Sequence, residues 1–107
     1  REGLALTRHL LDQAPGIEAI FYSNDDMAAG GLMHCLTQGI RVPEDLALAG
    51  CNGLGFLDAL PLRLTTLRTP RYDMGRQAVS ALLEPETGTE GPVSLDLGFT
   101  LIAGGTC

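Results

Sequence analysis

Several residue types are missing or scarce in this 107-residue sequence, and each absence narrows what the protein can be. Tryptophan is absent and aromatic residues make up 5% of the chain, so the core must be largely aliphatic. Lysine is absent too, and the 7 arginines are outnumbered by 13 acidic residues, which gives a formal net charge of −6. Such a surface repels phosphate backbones, so we do not expect this segment itself to bind nucleic acid.

Membrane and secretion signals are also missing. No apolar run reaches the roughly 18 residues that a transmembrane span needs, and no signal segment opens the sequence. Three cysteines, Cys35, Cys51 and Cys107, are odd in number and have no framework spacing, which favours free thiols in a reducing cytosol. Because the first residues already have a helical pattern, we expect this sequence to be a piece of a longer protein.

What is present is an alternation of strand and helix patterns. Apolar spacing puts Leu6 and Leu10 on one face of the first helix. In the last helix the same kind of spacing predicts a buried face made of Met74, Ala78, Ala81 and Leu82. Residues 84–92 have the composition of a polar loop. A strand, helix and strand within about 30 residues form a right-handed βαβ unit, so the sequence predicts an α/β fold with a parallel sheet and flanking helices. The predicted helices cover 3–13, 25–38 and the residues after Pro70, and the predicted strands cover 19–22, 46–50, 64–68 and 93–102.

Two asparagines follow the ends of neighbouring predicted strands. Asn24 follows the first strand and precedes the second helix, and Asn52 follows the second strand within Gly50–Gly55. Ligands of open α/β sheets bind at the carboxyl ends of the strands, and an amide offers donors and an acceptor to sugar hydroxyls. The alternatives are a plain helix cap at Asn24 and a glycine-rich turn at Asn52.

Other chemistries find little support. Asp25 and Asp26 are neighbours in a first helical turn and point about 100° apart, so we interpret them as solvated charges rather than as an acid/base pair. Arg71 either meets an anion or is simply solvated. His34 beside Cys35 lacks metal-ligand spacing. We therefore expect no catalytic residue, no bound metal and no cofactor.

Three stretches carry a resemblance to a known family. They are Ala19–Gly30 (AIFYSNDDMAAG), Gly39–Gly50 (GIRVPEDLALAG) and Leu64–Leu67 (LTTL) with Met74–Ala78 (MGRQA). Together they resemble the effector-binding domain of lactose-repressor-like (LacI/GalR) transcription regulators over nearly the whole chain. Leu95–Leu101 with Gly104-Gly105, and Thr69-Pro70-Arg71, look closest to gluconate-operon repressors.

The resemblance implies a partial periplasmic-binding-protein-like fold made of two α/β lobes. Residues 1–66 would belong to the C-terminal lobe, 67–92 to the N-terminal lobe, and 93–107 to a strand that returns to the C-terminal lobe. The DNA-binding head would lie outside this chain, so operator DNA would be bound only through it. The implied protein is a cytoplasmic homodimer or higher oligomer that binds a small-molecule sugar or sugar acid and has no membrane partner.

The resemblance also suggests roles for single residues. Asn24 matches a position that bonds effector hydroxyls, which favours ligand contact over capping alone. Asn52 stands where the family usually has Asp, and an amide does not repel a sugar acid as a carboxylate does. With Arg71 near the pocket, both features favour gluconate or a related aldonate. Positions at the family's dimer interface match Ala29, Leu57 and Leu60, for which ordinary packing is the alternative.

Two other functions stay open at this point. A periplasmic sugar-binding protein of a transporter has a similar fold, and an α/β enzyme would share the sheet. The sequence assembles no nucleophile, metal or phosphate motif, so the enzyme is the weaker of the two. As an isolated piece the chain would expose sheet edges, so we expect it to form oligomers.

Overall fold

The computed structural model describes residues 1–83 and 94–107 of the chain. Its helices and strands follow the predicted order, with one short 3₁₀ helix in the loop after the second strand. The elements are α1 (Glu2–Gln13), β1 (Ala19–Phe21), α2 (Asp25–Gln38), β2 (Ala47–Asn52), the 3₁₀ helix (Gly55–Ala59), β3 (Thr65–Arg68), α3 (Arg71–Leu83) and β4 (Thr100–Ile102).

The four strands form one sheet in the order β1-β2-β3-β4. β1, β2 and β3 are parallel, and β4 pairs antiparallel to β3 through Thr66 and Ile102. Parallel neighbours need a crossover, and α2 supplies the one between β1 and β2. The predicted α/β class with a mostly parallel sheet and flanking helices is therefore confirmed.

The core lies between α2 and one face of the sheet. Ala28, Leu32 and Cys35 of α2 are fully buried at four-and-three spacing and pack with Leu48 of β2. The helix begins at the Asn24 cap and ends at Gly39, whose φ of 70° is the left-handed conformation that glycine adopts without strain. The opposite face is open at the β1 edge, where Phe21 is 61% exposed.

Helix α1 packs on α2 through small residues, not through its leucines. Gly3 and Thr7 are its buried positions, and a Cβ on Gly3 would lie 2.1 Å from the Met27 carbonyl oxygen. Leu6 and Leu10, which share one face of the helix as predicted, are 47% and 40% exposed, whereas the adjacent Leu11 is partly buried against the core. The close approach of the two helix backbones decides which side of α1 is buried, and only small side chains permit it.

Helix α3 has no buried residue, which corrects the predicted buried face of Met74, Ala78, Ala81 and Leu82. Met74 is 49% and Leu82 is 81% exposed. The helix begins directly after Pro70, as predicted. Among the described residues, segment 94–99 borders an apolar groove beside the helix but buries none of its residues.

The final strand is shorter than its alternating pattern predicted. β4 covers Thr100–Ile102, and residues 94–99 have no regular structure although Leu95, Leu97 and Phe99 alternate. A pairing partner, not alternation, makes a strand, and β3 ends at the Arg68–Thr100 pair. The predicted loop over 84–92 and the start of this strand at Val93 lie outside the described residues. No helix within 1–83 or 94–107 is long and apolar enough to cross a membrane.

Candidate functional site

The two predicted asparagines leave the same edge of the sheet. Phe21 of β1 is paired with Ala49 of β2, and Asn24 and Asn52 each lie three residues beyond that pair. Neighbouring strands are about 4.8 Å apart, so the two chain segments emerge side by side. The sheet topology therefore places Asn24 and Asn52 beyond the carboxyl ends of the neighbouring strands β1 and β2.

Asn24 caps α2. Its extended backbone, with φ of −151°, directs the side chain back over the first turn, and Oδ1 accepts a 2.8 Å hydrogen bond from the Met27 amide. Capping uses only this oxygen, so the Nδ2 donors remain to be satisfied by another group. The capping alternative is thus present in the structure and is compatible with a second role.

Asn52 has a strained backbone. Its φ of 112° makes it the one non-glycine residue with positive φ among the described residues. Gly53 follows with φ of 68°, and a Cβ there would lie 2.8 Å from the Arg68 Cβ. Strained backbone of this kind costs about 1–3 kcal/mol and occurs most often at ligand clamps and switch regions. The glycine-rich turn that was the alternative for Asn52 is real, and Asn52 occupies its strained position.

Asp25 is the residue whose role the sequence-based interpretation got wrong. It was expected to be solvated, yet it is fully buried. Its Oδ1 accepts a 2.6 Å hydrogen bond from the Thr66 hydroxyl, and its Oδ2 accepts a 2.8 Å bond from the Leu54 amide. Space for the carboxylate exists because residue 50 is glycine, where a Cβ would lie 2.5 Å from Oδ1. Asp26, by contrast, is exposed as expected.

A signal for this network was present in the sequence. Thr65 and Thr66 stand together between the apolar residues Leu64 and Leu67, and both are buried. Buried hydroxyls need hydrogen-bond partners, so a polar residue from another element had to reach β3. Nothing in the sequence alone said that the partner was Asp25.

Arg71 lies at the start of α3, opposite the end of β2. Its guanidinium donates a hydrogen bond to the backbone carbonyl of Asn52. The side chain is exposed, and within residues 1–83 and 94–107 this is the hydrogen bond that its guanidinium donates, out of five N–H donors. The structure therefore brings Arg71 to the same strand end as Asn52, and neither alternative for Arg71 describes this contact.

A separate apolar groove of about 470 Å³ runs between α3 and the irregular segment 94–99. Met74 and Ala78 of α3 line it together with Leu95, Leu97 and Phe99. None of the three predicted ligand residues lies in this groove.

The three predicted interface residues differ in their exposure. Ala29 on α2 and Leu60 after the 3₁₀ helix are half-buried. Leu57 is 5% exposed and packs in the core, whereas the neighbouring Phe56 is 39% exposed. Of this set, Ala29 and Leu60 are partly accessible, whereas Leu57 is a core residue.

Burial raises the pKa of two groups near the sheet, Tyr22 and Cys35. Tyr22, directly after β1, is buried, and desolvation raises the pKa of its phenol. Its hydroxyl lies 2.7 Å from the Thr7 hydroxyl, which itself donates to the Gly3 carbonyl, so Tyr22 is the donor. Burial likewise raises the pKa of the Cys35 thiol. Within residues 1–83 and 94–107, no group of three His, Cys, Asp or Glu side chains is arranged to hold a metal ion.

With the geometry described, comparison with known proteins defines the family. The family model of the periplasmic binding protein-like domain matches residues 2–107. The chain belongs to this family. The HTH-type transcriptional regulator GntR of Pseudomonas aeruginosa is 42% identical over 95 residues, which cover 88% of this chain and 28% of that protein.

Solved structures agree with this family. The transcription regulator GntR of Chromobacterium violaceum superimposes with a TM-score of 0.84 at 40% identity, over 98% of this chain and 39% of that one. A LacI family regulator of Lactobacillus casei with bound sucrose superimposes with a TM-score of 0.77 at 25% identity, over 99% of this chain and 40% of that one. The resemblance to LacI-type regulators is thereby confirmed.

Two consequences follow from these relatives. They are transcription regulators and not enzymes, which agrees with the expectation that this chain is not an enzyme, and they give no support to the transporter alternative. The chain spans about a third of the length of the curated relatives it matches, between 28% and 32% of the first four.

Proposed function

We propose that this chain is the C-terminal part of the effector-binding domain of a cytoplasmic repressor that responds to a sugar or sugar acid. The observation that supports this most is that Asn24 and Asn52 each lie three residues beyond the Phe21–Ala49 register pair. Two amides beyond neighbouring strand ends offer donors and acceptors to the hydroxyl groups of a small polyol.

The charges at this edge favour an acidic sugar over a neutral one. Asn52 carries no negative charge, and Arg71 lies within hydrogen-bonding distance of its carbonyl with donors to spare. A guanidinium binds a carboxylate through two parallel hydrogen bonds, which a neutral hexose cannot provide. We therefore propose gluconate or a related aldonate as the effector.

The proposed division into lobes explains why α3 is uncovered. Residues 1–66 would form part of one lobe, 67–92 would cross to the other, and 93–107 would return. In support, α3 has no buried residue, and Tyr72, Leu82 and Leu83 are at least 75% exposed. An amphipathic helix needs a partner for its apolar side, and the rest of an effector-binding domain would supply one.

The mechanism that we propose is a change in the relative position of the two lobes. Arg71 on α3 and Asn52 on β2 would lie on opposite sides of the crossover, so an effector that contacts both would favour one arrangement. A ligand shifts such an equilibrium only as far as its affinities for the two states differ. The shift would pass through a homodimer or higher-oligomer contact at Ala29, Leu57 and Leu60 to operator-binding heads outside this chain.

Calorimetry on the full-length protein tests the effector. We expect gluconate to bind more tightly than glucose, and Arg71→Gln to weaken gluconate by about tenfold or more and by more than it weakens glucose, because a charge-assisted bond adds about 1.5–3 kcal/mol. Arg76→Gln is the matched control, since Arg76 is on the same helix, is exposed and pairs only loosely with Asp73 at 3.8 Å. Tighter binding of glucose than of gluconate would exclude the sugar-acid assignment.

A further inference from the structure

We propose that Asp25 and Thr66 form a buried clamp that holds the Asn52–Leu54 turn in its ligand-binding shape. Asp25 would be a positioning residue: it would touch no effector and would act through Asn24 and Asn52. The proposal rests on the proposed function, because it assigns these two asparagines to the effector.

The clamp consists of three hydrogen bonds, two from amides of the turn to side chains and one between the two side chains. The Leu54 amide donates to Asp25 Oδ2 at 2.8 Å, and the Gly53 amide donates to Thr66 Oγ1 at 3.3 Å. The Thr66 hydroxyl in turn donates to Asp25 Oδ1 at 2.6 Å, which joins the two contacts into one network. Two successive backbone amides of the turn are therefore held from below by a single carboxylate–hydroxyl pair.

The turn needs such support because its backbone is strained. Asn52 has a φ of 112°, which a non-glycine residue keeps only when surrounding contacts enforce it. The amides of the next two residues supply that enforcement from one side, and the guanidinium of Arg71 holds the Asn52 carbonyl from the other.

A buried carboxylate carries a high desolvation cost for a contact that only supports the fold. Asp25 is fully buried, and none of the ion pairs found among the described residues includes it. Its charge is balanced only by two hydrogen bonds and by the positive end of α2, where it is the first helical residue. Both of its side-chain oxygens accept from donors, and an amide would offer only one acceptor oxygen, so a carboxyl group suits the two contacts that fix the turn.

Asp25 also fixes both asparagines at once. It follows Asn24 directly in the chain, and it binds the residue two positions after Asn52. A displacement of the turn would therefore change the distance between the two amides, which is the quantity that decides whether one small ligand can reach both. The clamp would set that distance before any effector arrives.

The experiment compares two adjacent threonines in the full-length protein. Thr66→Val keeps the shape of the side chain and removes the hydroxyl that links Gly53 to Asp25. Thr65→Val is the matched control, because Thr65 is also buried and its hydroxyl accepts the Gly104 amide at 2.9 Å, away from the turn. Thr66→Ser restores the hydroxyl. The readouts are gluconate affinity by calorimetry, thermal stability, and amide exchange at Gly53 and Leu54.

We expect Thr66→Val to weaken gluconate by about tenfold, since apparent affinity falls with the fraction of molecules whose turn is in the competent shape. Thr65→Val should lower thermal stability by about as much as Thr66→Val does, but it should change gluconate affinity by less than about threefold. Thr66→Ser should return gluconate affinity to within about threefold of the unaltered protein. Exchange at Gly53 and Leu54 should rise in Thr66→Val alone.

Equal loss of affinity in both valine variants would overturn the proposal, because it would show a general effect of stability. Faster exchange at the turn with unchanged affinity would overturn it too. If the unaltered protein binds neither gluconate nor glucose, the proposed function fails instead, and unchanged exchange in Thr66→Val would then reject the clamp independently of any ligand.

Discussion

Replacing Asn24 with serine separates the helix cap from ligand binding. The Asn24 side chain accepts the Met27 amide at 2.8 Å through Oδ1, and in the proposed function its Nδ2 donates to the effector. Serine is as good a cap as asparagine but has no amide to reach outward. Alanine at the same position removes both functions, and aspartate keeps the cap while replacing the donor with a negative charge.

The structure gives the size of each effect. Loss of the cap costs about 1 kcal/mol, so Asn24→Ala should lower the free energy of unfolding by that amount while Asn24→Ser and Asn24→Asp remain near the unaltered value. Loss of one net hydrogen bond to the ligand is worth about 1 to 2 kcal/mol, so Asn24→Ser should raise the Kd for gluconate by about 5- to 30-fold. Asn24→Asp should bind gluconate most weakly of all, because two like charges then meet.

Urea unfolding and calorimetry on the same full-length variants measure the two effects separately. The reasoning predicts that stability groups serine with the unaltered protein, whereas affinity groups serine with alanine. If Asn24→Ser binds every tested sugar and sugar acid as the unaltered protein does, Asn24 is a helix cap and nothing more. The proposed site would then lose its central residue.

Three further predictions concern the packing around this site. Gly50→Ala should destabilise the protein by about 1–3 kcal/mol in urea, because the new methyl group would lie 2.5 Å from Asp25 Oδ1, whereas Gly55→Ala meets nothing within 4 Å and should be close to neutral. Burial raises the pKa of Tyr22 above its ordinary 10.0, so the folded state holds the phenol proton more tightly. The contribution of Tyr22 to stability should be level below about pH 9 and fall as the pH rises through 10. Tyr22→Phe should reduce that fall in denaturation series at several pH values. Leu60→Asp should convert the full-length oligomer into monomers by light scattering, since a charge in an apolar contact is unfavourable, and an unchanged mass would contradict the interface assigned to Leu60.

The sequence predicted the elements near the site better than those far from it. The bounds of α2 agree at both ends, because the polar cap at Asn24, the acidic first turn and the terminal Gly39 are local signals. The apolar strand β2 was predicted for the same reason. Pairing of parallel strands then follows from the connecting helix, so the meeting of Asn24 and Asn52 at one edge was predictable too.

Predictions failed where burial depends on a partner distant in sequence. Met74 and Leu82 have helical spacing, but no described residue buries them. In α1 the buried positions are Gly3 and Thr7 rather than Leu6. Alternation in 94–99 did not make a strand because β3 has no residue left to pair with it. In each case the pattern stated what a residue prefers, and the tertiary structure determined whether that preference was met.

By itself, the sequence determined the order of helices and strands, the family, and the edge of the sheet at which a ligand would bind. These depend on periodicity, caps and turn residues, which act over a few neighbouring positions. Only the tertiary structure decided that Asp25 is buried beneath the Asn52 turn, because that depends on a 41-residue separation from Thr66 and on the space left at Gly50. A carboxylate at a helix start is solvated or buried according to what the folded chain places over it.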